Sequence, residues 1–193
     1  RRRKALAFKP SISYKMQNLP NEKKKIDKNI DLIEFKDKKN KILCVILRLS
    51  CHPVSAENNV LGSDYIGYIR NYFKKKKIEL FFMQGFCGDI RPNFLLKEKT
   101  IKDKVINMLV GKRFRKANKY DSLNLSKSMI KDLKKNRSIK NKKINSIISS
   151  KKILKKVPLD NGDNALCPLD ISIWNWDPII MIFVNAEVLS GFN

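Results

Sequence analysis

The 193-residue chain contains one histidine, His52. A site that needs two imidazoles cannot be completed from its own residues, so a self-contained His/His zinc centre is excluded. Any Ser-His-Asp or Cys-His arrangement would have to use His52. No apolar run approaches the roughly 20 residues that span a bilayer; the longest, Ile42–Leu49 and Ile78–Met83, are strand-length. The four cysteines, Cys44, Cys51, Cys87 and Cys167, show neither C-x-x-C spacing nor a knuckle pattern. They read as reduced, mostly buried thiols rather than a disulfide framework.

Acidic residues are also scarce: 18 Asp and Glu face 42 Lys and Arg, a formal net charge of +24. Such an excess ordinarily points to nucleic acid or an anionic membrane surface. Its composition argues otherwise for nucleic acid. Lysine outnumbers arginine 33 to 9, and arginine is the residue that pairs bidentately with phosphate and guanine. Isoleucine (23) and asparagine (19) are abundant as well, and Lys, Ile and Asn share AT-rich codons, so genome bias suffices for much of the basicity. Nucleic acid is therefore the unfavoured partner, and an anionic membrane surface remains an open one. The runs Lys23–Lys25 and Lys74–Lys77 read as solvated faces beside turns or helix ends.

The hydrophobic fraction of 42% is that of a globular chain with a core. Residues 5–29, with Pro10, Pro20 and a lysine run, read as a loop. Asn29–Phe35 reads as a strand and Lys36–Asn40 as a polar turn. Ile42–Leu49 is a β-branched run suited to a strand buried on both faces, which completes a hairpin. Pro53 ends it. Gly62-Ser63-Asp64 has the chemistry of a helix start, and Tyr65, Ile66, Ile69, Tyr72 and Phe73 recur at helical spacing over Asp64–Lys76. Ile78–Gln84 is the next strand. Strand, helix, strand in that order predicts a mixed, layered α/β fold whose loop residues gather at strand ends, where open α/β sheets bind ligands.

Residues 95–156 are Lys/Asn/Ser-rich, with helices expected near Lys99–Val110 and Ser122–Lys135. Asp160-Asn-Gly-Asp163 is a turn signal. Leu169–Trp174 and Pro178–Val184 read as strands, and Glu187 follows just past the second. The first residue is not a methionine, and both ends look cut, as in a piece of a larger domain.

Taken singly, the polar residues are weak signals. Cys51 and His52 are neighbours on extended chain, so their side chains point apart and make a poor nucleophile–base pair. Gly85-x-x-Gly88-Asp89 lacks the Lys-Ser/Thr of a P-loop and reads as a tight turn. In combination they are more specific. Ile42-Leu-Cys-Val-Ile-Leu-Arg-Leu-Ser-Cys-His-Pro53, then Asn58-Asn-Val-Leu-Gly-Ser-Asp64-Tyr-Ile-Gly67-Tyr68, then Phe81-Phe-Met-Gln-Gly-Phe-Cys-Gly-Asp-Ile-Arg-Pro-Asn93, resemble in order and spacing the catalytic domain of the neutral/alkaline, non-lysosomal ceramidases. The bacterial ceramidase-like members with a Cys-His-Pro signature are the nearer likeness, and Ile179–Gly191 resembles the family strand that ends in Pro-Gly-Glu or Pro-Ala-Glu.

The resemblance implies that residues 1–193 form part of a single catalytic domain, with a Lys-rich insert at about 95–165. It implies a zinc-dependent amide hydrolase acting on a ceramide-like or other N-acyl amide, with His52 and Glu187 as zinc ligands. Another histidine upstream and a tyrosine downstream of the segment would complete the set. Asp64, Asp89 and Asn93 would support the site, chiefly by fixing the helix start and the loop. Two positions depart from the family pattern. Arg91 stands where the family's Gly-Asp-Val-Ser-Pro-Asn has its serine, so a serine nucleophile is ruled out there; Arg91 would bind an anionic group, stabilise an oxyanion or pair with a carboxylate. Asn185 replaces the proline before Ala186-Glu187. Two other readings compete with the hydrolase. One is a non-catalytic basic protein that binds nucleic acid or anionic lipid; the other is an inactive, truncated family member.

Overall fold

The computed structural model describes residues 2–7, 15–21, 23, 25–56, 61–136, 149–158, 166–177 and 179–185. Its fold is mixed α/β, and it divides into two compact units, residues 1–134 with 189–193 and residues 135–188.

The first unit is built on a three-stranded sheet. Strand β3 (Ile30–Lys36) pairs antiparallel with β4 (Ile42–Leu49), and β4 pairs in parallel with β5 (Glu79–Gln84), which places β4 at the centre. The hairpin turn is held by Asp37, whose carboxylate accepts the Lys39 and Lys41 N–H groups at 2.8 and 2.9 Å. Asn40 takes the left-handed conformation (φ 63°) that this turn requires.

A parallel pair needs a crossover, and helix α1 (Asp64–Lys74) supplies it. Its Tyr65, Ile69 and Phe73 fall on one face and are buried against Val45, Leu47 and Leu49 of β4 and Leu80 of β5. Leu125, Met129, Ile130 and Leu133 of α3 (Asp121–Asn136), again at helical spacing, pack against the same cluster. The expectation that β4 is buried on both faces is corrected. Alternate residues Val45, Leu47 and Leu49 are buried, whereas Ile42, Cys44, Ile46 and Arg48 on the other face are half-buried and Leu43 is 52% exposed. A single helical layer covers one side of this sheet, and a charged residue sits on the other.

Helix α1 ends two residues before the expected Lys76. The Ile78 N–H reaches back to the Phe73 carbonyl (3.1 Å) and the Lys77 N–H to the Lys74 carbonyl (2.9 Å), with Lys77 in the left-handed region at φ 59°. This is the helix-ending pattern that usually places glycine at that position.

Two further differences concern lysine-rich sequence. The segment 5–29, read as a loop, contains much of a hairpin: β1 (Arg2–Ala7) pairs antiparallel with β2 (Lys15–Pro20). Helix α2 (Ile101–Val110) and α3 match the two expected helices. In the second unit, β6 (Ser149–Pro158) is a strand where none was expected; it pairs with β7 (Leu166–Trp176), which pairs with β8 (Ile179–Val184), all antiparallel. Strand β6 carries Lys151, Lys152, Lys155 and Lys156 at the edge of its sheet, where charge blocks further pairing and erases the apolar alternation that identifies a strand. Asp160–Asp163 lies outside the described residues.

The left-handed Lys77 gives a test. Lys77→Gly is expected to raise unfolding stability by about 1 kcal/mol, and Lys75→Gly, in right-handed backbone (φ −59°), to lower it by about 0.5–1 kcal/mol. Urea melts of the two variants check the opposite signs.

Candidate functional site

Both β4 and β5 run toward the same sheet edge, so the segments that follow them meet there. The Gly85 N–H donates to the Leu49 carbonyl at 2.9 Å, and the His52 N–H to the Ile90 carbonyl at 3.2 Å. Two of the three sequence blocks are thereby joined through backbone. A Cβ at Gly85 would collide with the Ser50 hydroxyl and crowd the Arg48 guanidinium, which accounts for glycine at this close approach.

The third block enters through Asp64. Its Oδ2 accepts the N–H groups of Ser55 (2.7 Å) and Ala56 (2.8 Å), and its Oδ1 accepts the Tyr65 N–H (2.6 Å) and the Ser55 hydroxyl. Asp64 reaches these donors from a left-handed backbone (φ 54°), while the preceding Ser63 makes no side-chain cap. Ser55 is fully buried, and its hydroxyl also meets that of buried Ser122 on α3 at 3.1 Å. From α1, the Tyr65 hydroxyl donates to the Cys51 carbonyl at 2.7 Å. The chain on either side of His52 is therefore pinned, at Cys51 by Tyr65 and at Ser55–Ala56 by Asp64. With four donors on its two oxygens, Asp64 is engaged in holding the loop and the helix start.

His52 is half-buried. Asp89 is half-buried in the turn closed by the Ile90 N–H on the Cys87 carbonyl (2.8 Å), and Asn93 is exposed. The Arg91 guanidinium lies over the Phe114 ring at 4.6 Å, while Arg115 lies over Phe94 at 4.8 Å. These stacks bracket a short antiparallel contact of 94–96 with 113–115. Glu187 lies outside the described residues, as do Asn58 and Val60. Among the described residues no three His, Cys, Asp or Glu side chains gather as metal ligands. His52 offers one imidazole of suitable chemistry, but the described residues do not by themselves fit a zinc ion.

Electrostatics set the neighbours apart. Burial, with smaller contributions from Cys87 and Asp64, pushes the Cys51 thiol from an ordinary 9.0 up to about 12. Burial likewise pushes the Tyr65 phenol up. Cys51 is thus protonated at neutral pH, the reverse of an activated nucleophile. On the other face of β4, Arg48 donates to Asp27 at 2.6 Å and Asp31 at 2.7 Å. Desolvation works against the Asp27 carboxylate, yet the Asn29 N–H, Arg48 and Ser50 outweigh it and hold the group below the usual range. The Arg48 bridge was not visible in the sequence, since no spacing rule links residues 17 or more positions apart and Asp27 sits among lysines; nor was the bidentate Arg115–Asp121 pair (2.6 and 2.7 Å), which spans six positions from irregular chain into the start of α3.

Between α1 and α3, Tyr68, Asn71, Tyr72, Lys74, Lys75, Leu123, Ser126, Lys127 and Ile130 line an open groove of about 560 Å³. Lys76 and Lys134 stand over the Tyr72 ring at 4.5 and 5.4 Å. No protein-family model, curated protein or solved structure matches the chain.

The raised thiol makes a prediction at Cys51. At about pH 8 its alkylation by iodoacetamide, followed by peptide mass spectrometry, is expected to be about 100-fold or more slower than in the urea-unfolded chain. The same shift implies stability that is intact below the thiol's ordinary 9.0 and declines as pH rises from there toward about 12. Equal labelling in folded and unfolded protein would contradict both.

Proposed function

We propose that the chain is part of a zinc-dependent amide hydrolase of the neutral-ceramidase type, acting on a lipid or other N-acyl amide, with His52 and Glu187 as two of the metal's ligands. The observation that carries the reading is convergence. The three blocks whose order resembles that family, residues 42–53, 58–68 and 81–93, are tied to one another by the His52–Ile90 and Gly85–Leu49 backbone bonds and by the Tyr65 hydroxyl on the Cys51 carbonyl, and Asp64 holds the loop between the first two through Ser55 and Ala56. Their meeting place is the carboxyl end of parallel strands, where α/β sheets bind ligands.

Zinc at such a site would activate a water and polarise the amide carbonyl. The chain's own part is to hold the His52 backbone between fixed points. Cys51 is kept neutral beside it and Arg91 replaces the family serine, so neither offers a nucleophile. With Arg91 stacked on Phe114, its guanidinium has a fixed place in the loop after β5.

A second reading, a non-catalytic basic protein that binds nucleic acid or anionic lipid, is favoured by the groove between α1 and α3, where two tyrosines stand among lysines. Such binding would weaken steeply with salt and need no metal.

Elemental analysis of the purified full-length protein, wild type beside His52→Ala and Glu187→Ala, separates the readings. The hydrolase reading expects about one zinc per chain, lost in both variants. A wild type without zinc, or zinc retained in both variants, overturns it.

A further inference from the structure

Helix α2 is built inside out. Asp103, Ile106 and Asn107 are the half-buried positions, while Ile101, Val105, Met108 and Leu109 are 81, 48, 83 and 76% exposed. The spacing of those four, i, i+4, i+7, i+8, gathers them into one stripe. The polar side is turned toward the chain by specific bonds. Asp103 closes a capping box with Thr100 and pairs with Arg113 at 3.6 Å. Asn107 donates to Glu98 at 2.9 Å and accepts from Arg113 at 3.4 Å. The outward direction of the apolar stripe is therefore fixed by hydrogen bonds on the opposite face. None of the ten residues is buried.

Lysines frame the stripe. At 100° per residue, Lys102 falls at one edge and Lys104 at the other, and exposed Lys97 and Lys99 precede the helix. Both nearby acids, Glu98 and Asp103, are bonded to Asn107, Thr100 and Arg113. An apolar ridge edged by ammonium groups on long alkyl stems matches an anionic bilayer surface: the ridge enters the acyl boundary and the lysines reach back to phosphate. A second copy of this helix would instead bring lysine against lysine. Among the described residues no helix is long and apolar enough to cross a membrane, so α2 would lie in the interface plane.

We infer that α2 is an interfacial anchor, with Ile101, Val105, Met108 and Leu109 inserting into an anionic lipid surface and Lys102 and Lys104 contacting its headgroups. The inference does not rest on the zinc reading.

The test is flotation of the full chain with vesicles of phosphatidylcholine plus phosphatidylserine, against phosphatidylcholine alone. Wild type is expected to float with the anionic vesicles, and Met108→Glu/Leu109→Glu to lower partitioning by about tenfold or more. Lys102→Glu/Lys104→Glu should lower it as well. Met108→Trp supplies a readout independent of the charged variants: its emission should shift to the blue on adding anionic vesicles, beyond any shift of the wild type. Absence of wild-type flotation, flotation of the Met108→Glu/Leu109→Glu variant equal to wild type, or no added blue shift overturns the anchor. So does sedimentation showing a wild-type dimer that the same double variant converts to monomer.

Discussion

The Asp64 carboxylate is the point on which the candidate site depends. Four donors from two directions end on its two oxygens, so the chain leaving β4 and the chain entering α1 are fastened to one charged group. Hydrogen bonds to an ionised acceptor are among the stronger ones in proteins. Here they also hold Ser55, which reaches Ser122 on α3 and so links the loop to the second helix on the core. A left-handed backbone at Asp64 is the accompanying cost, and a conformation of that kind persists only where its surroundings determine it. His52 has no freedom to choose its place: Cys51 before it and Ser55 after it are both anchored.

The charge of the chain takes on meaning only when placed. Lysines of β6 sit on a sheet edge and serve to keep that edge unpaired. Lys76, just past α1, and Lys134 of α3 stand over Tyr72. Those of α2 border an apolar ridge turned away from the protein. A single figure of +24 hides three different uses. If the chain works on a lipid amide at a bilayer, an interfacial α2 would bring protein and substrate to the same surface.

How much was legible in the sequence followed the core. The run ILCVILRL specified β4 to the residue, and the apolar spacing of α1 located its inner face, because both elements bury their side chains against each other. The β3–β4 hairpin and the parallel β4–β5 pair followed from the same pattern. Strands β1 and β6 escaped it, since RRKALA and SSKKILKKVP pair through backbone and show no apolar alternation. The candidate site was legible as three sequence blocks and not as geometry. That Asp64 would bind Ser55 and Ala56, that Arg91 would stack on Phe114, and that α2 would face outward all depend on tertiary contacts that no local spacing encodes.

Amide hydrogen exchange of wild type beside Asp64→Asn measures how far this one carboxylate fixes the loop around His52. The Ser55, Ala56 and His52 amides are expected to be protected in the wild type and to lose that protection in the variant, while the amides of Val45 and Leu47 in the β4 core keep theirs. Protection of the 52–56 segment unchanged by the substitution would contradict that role of Asp64.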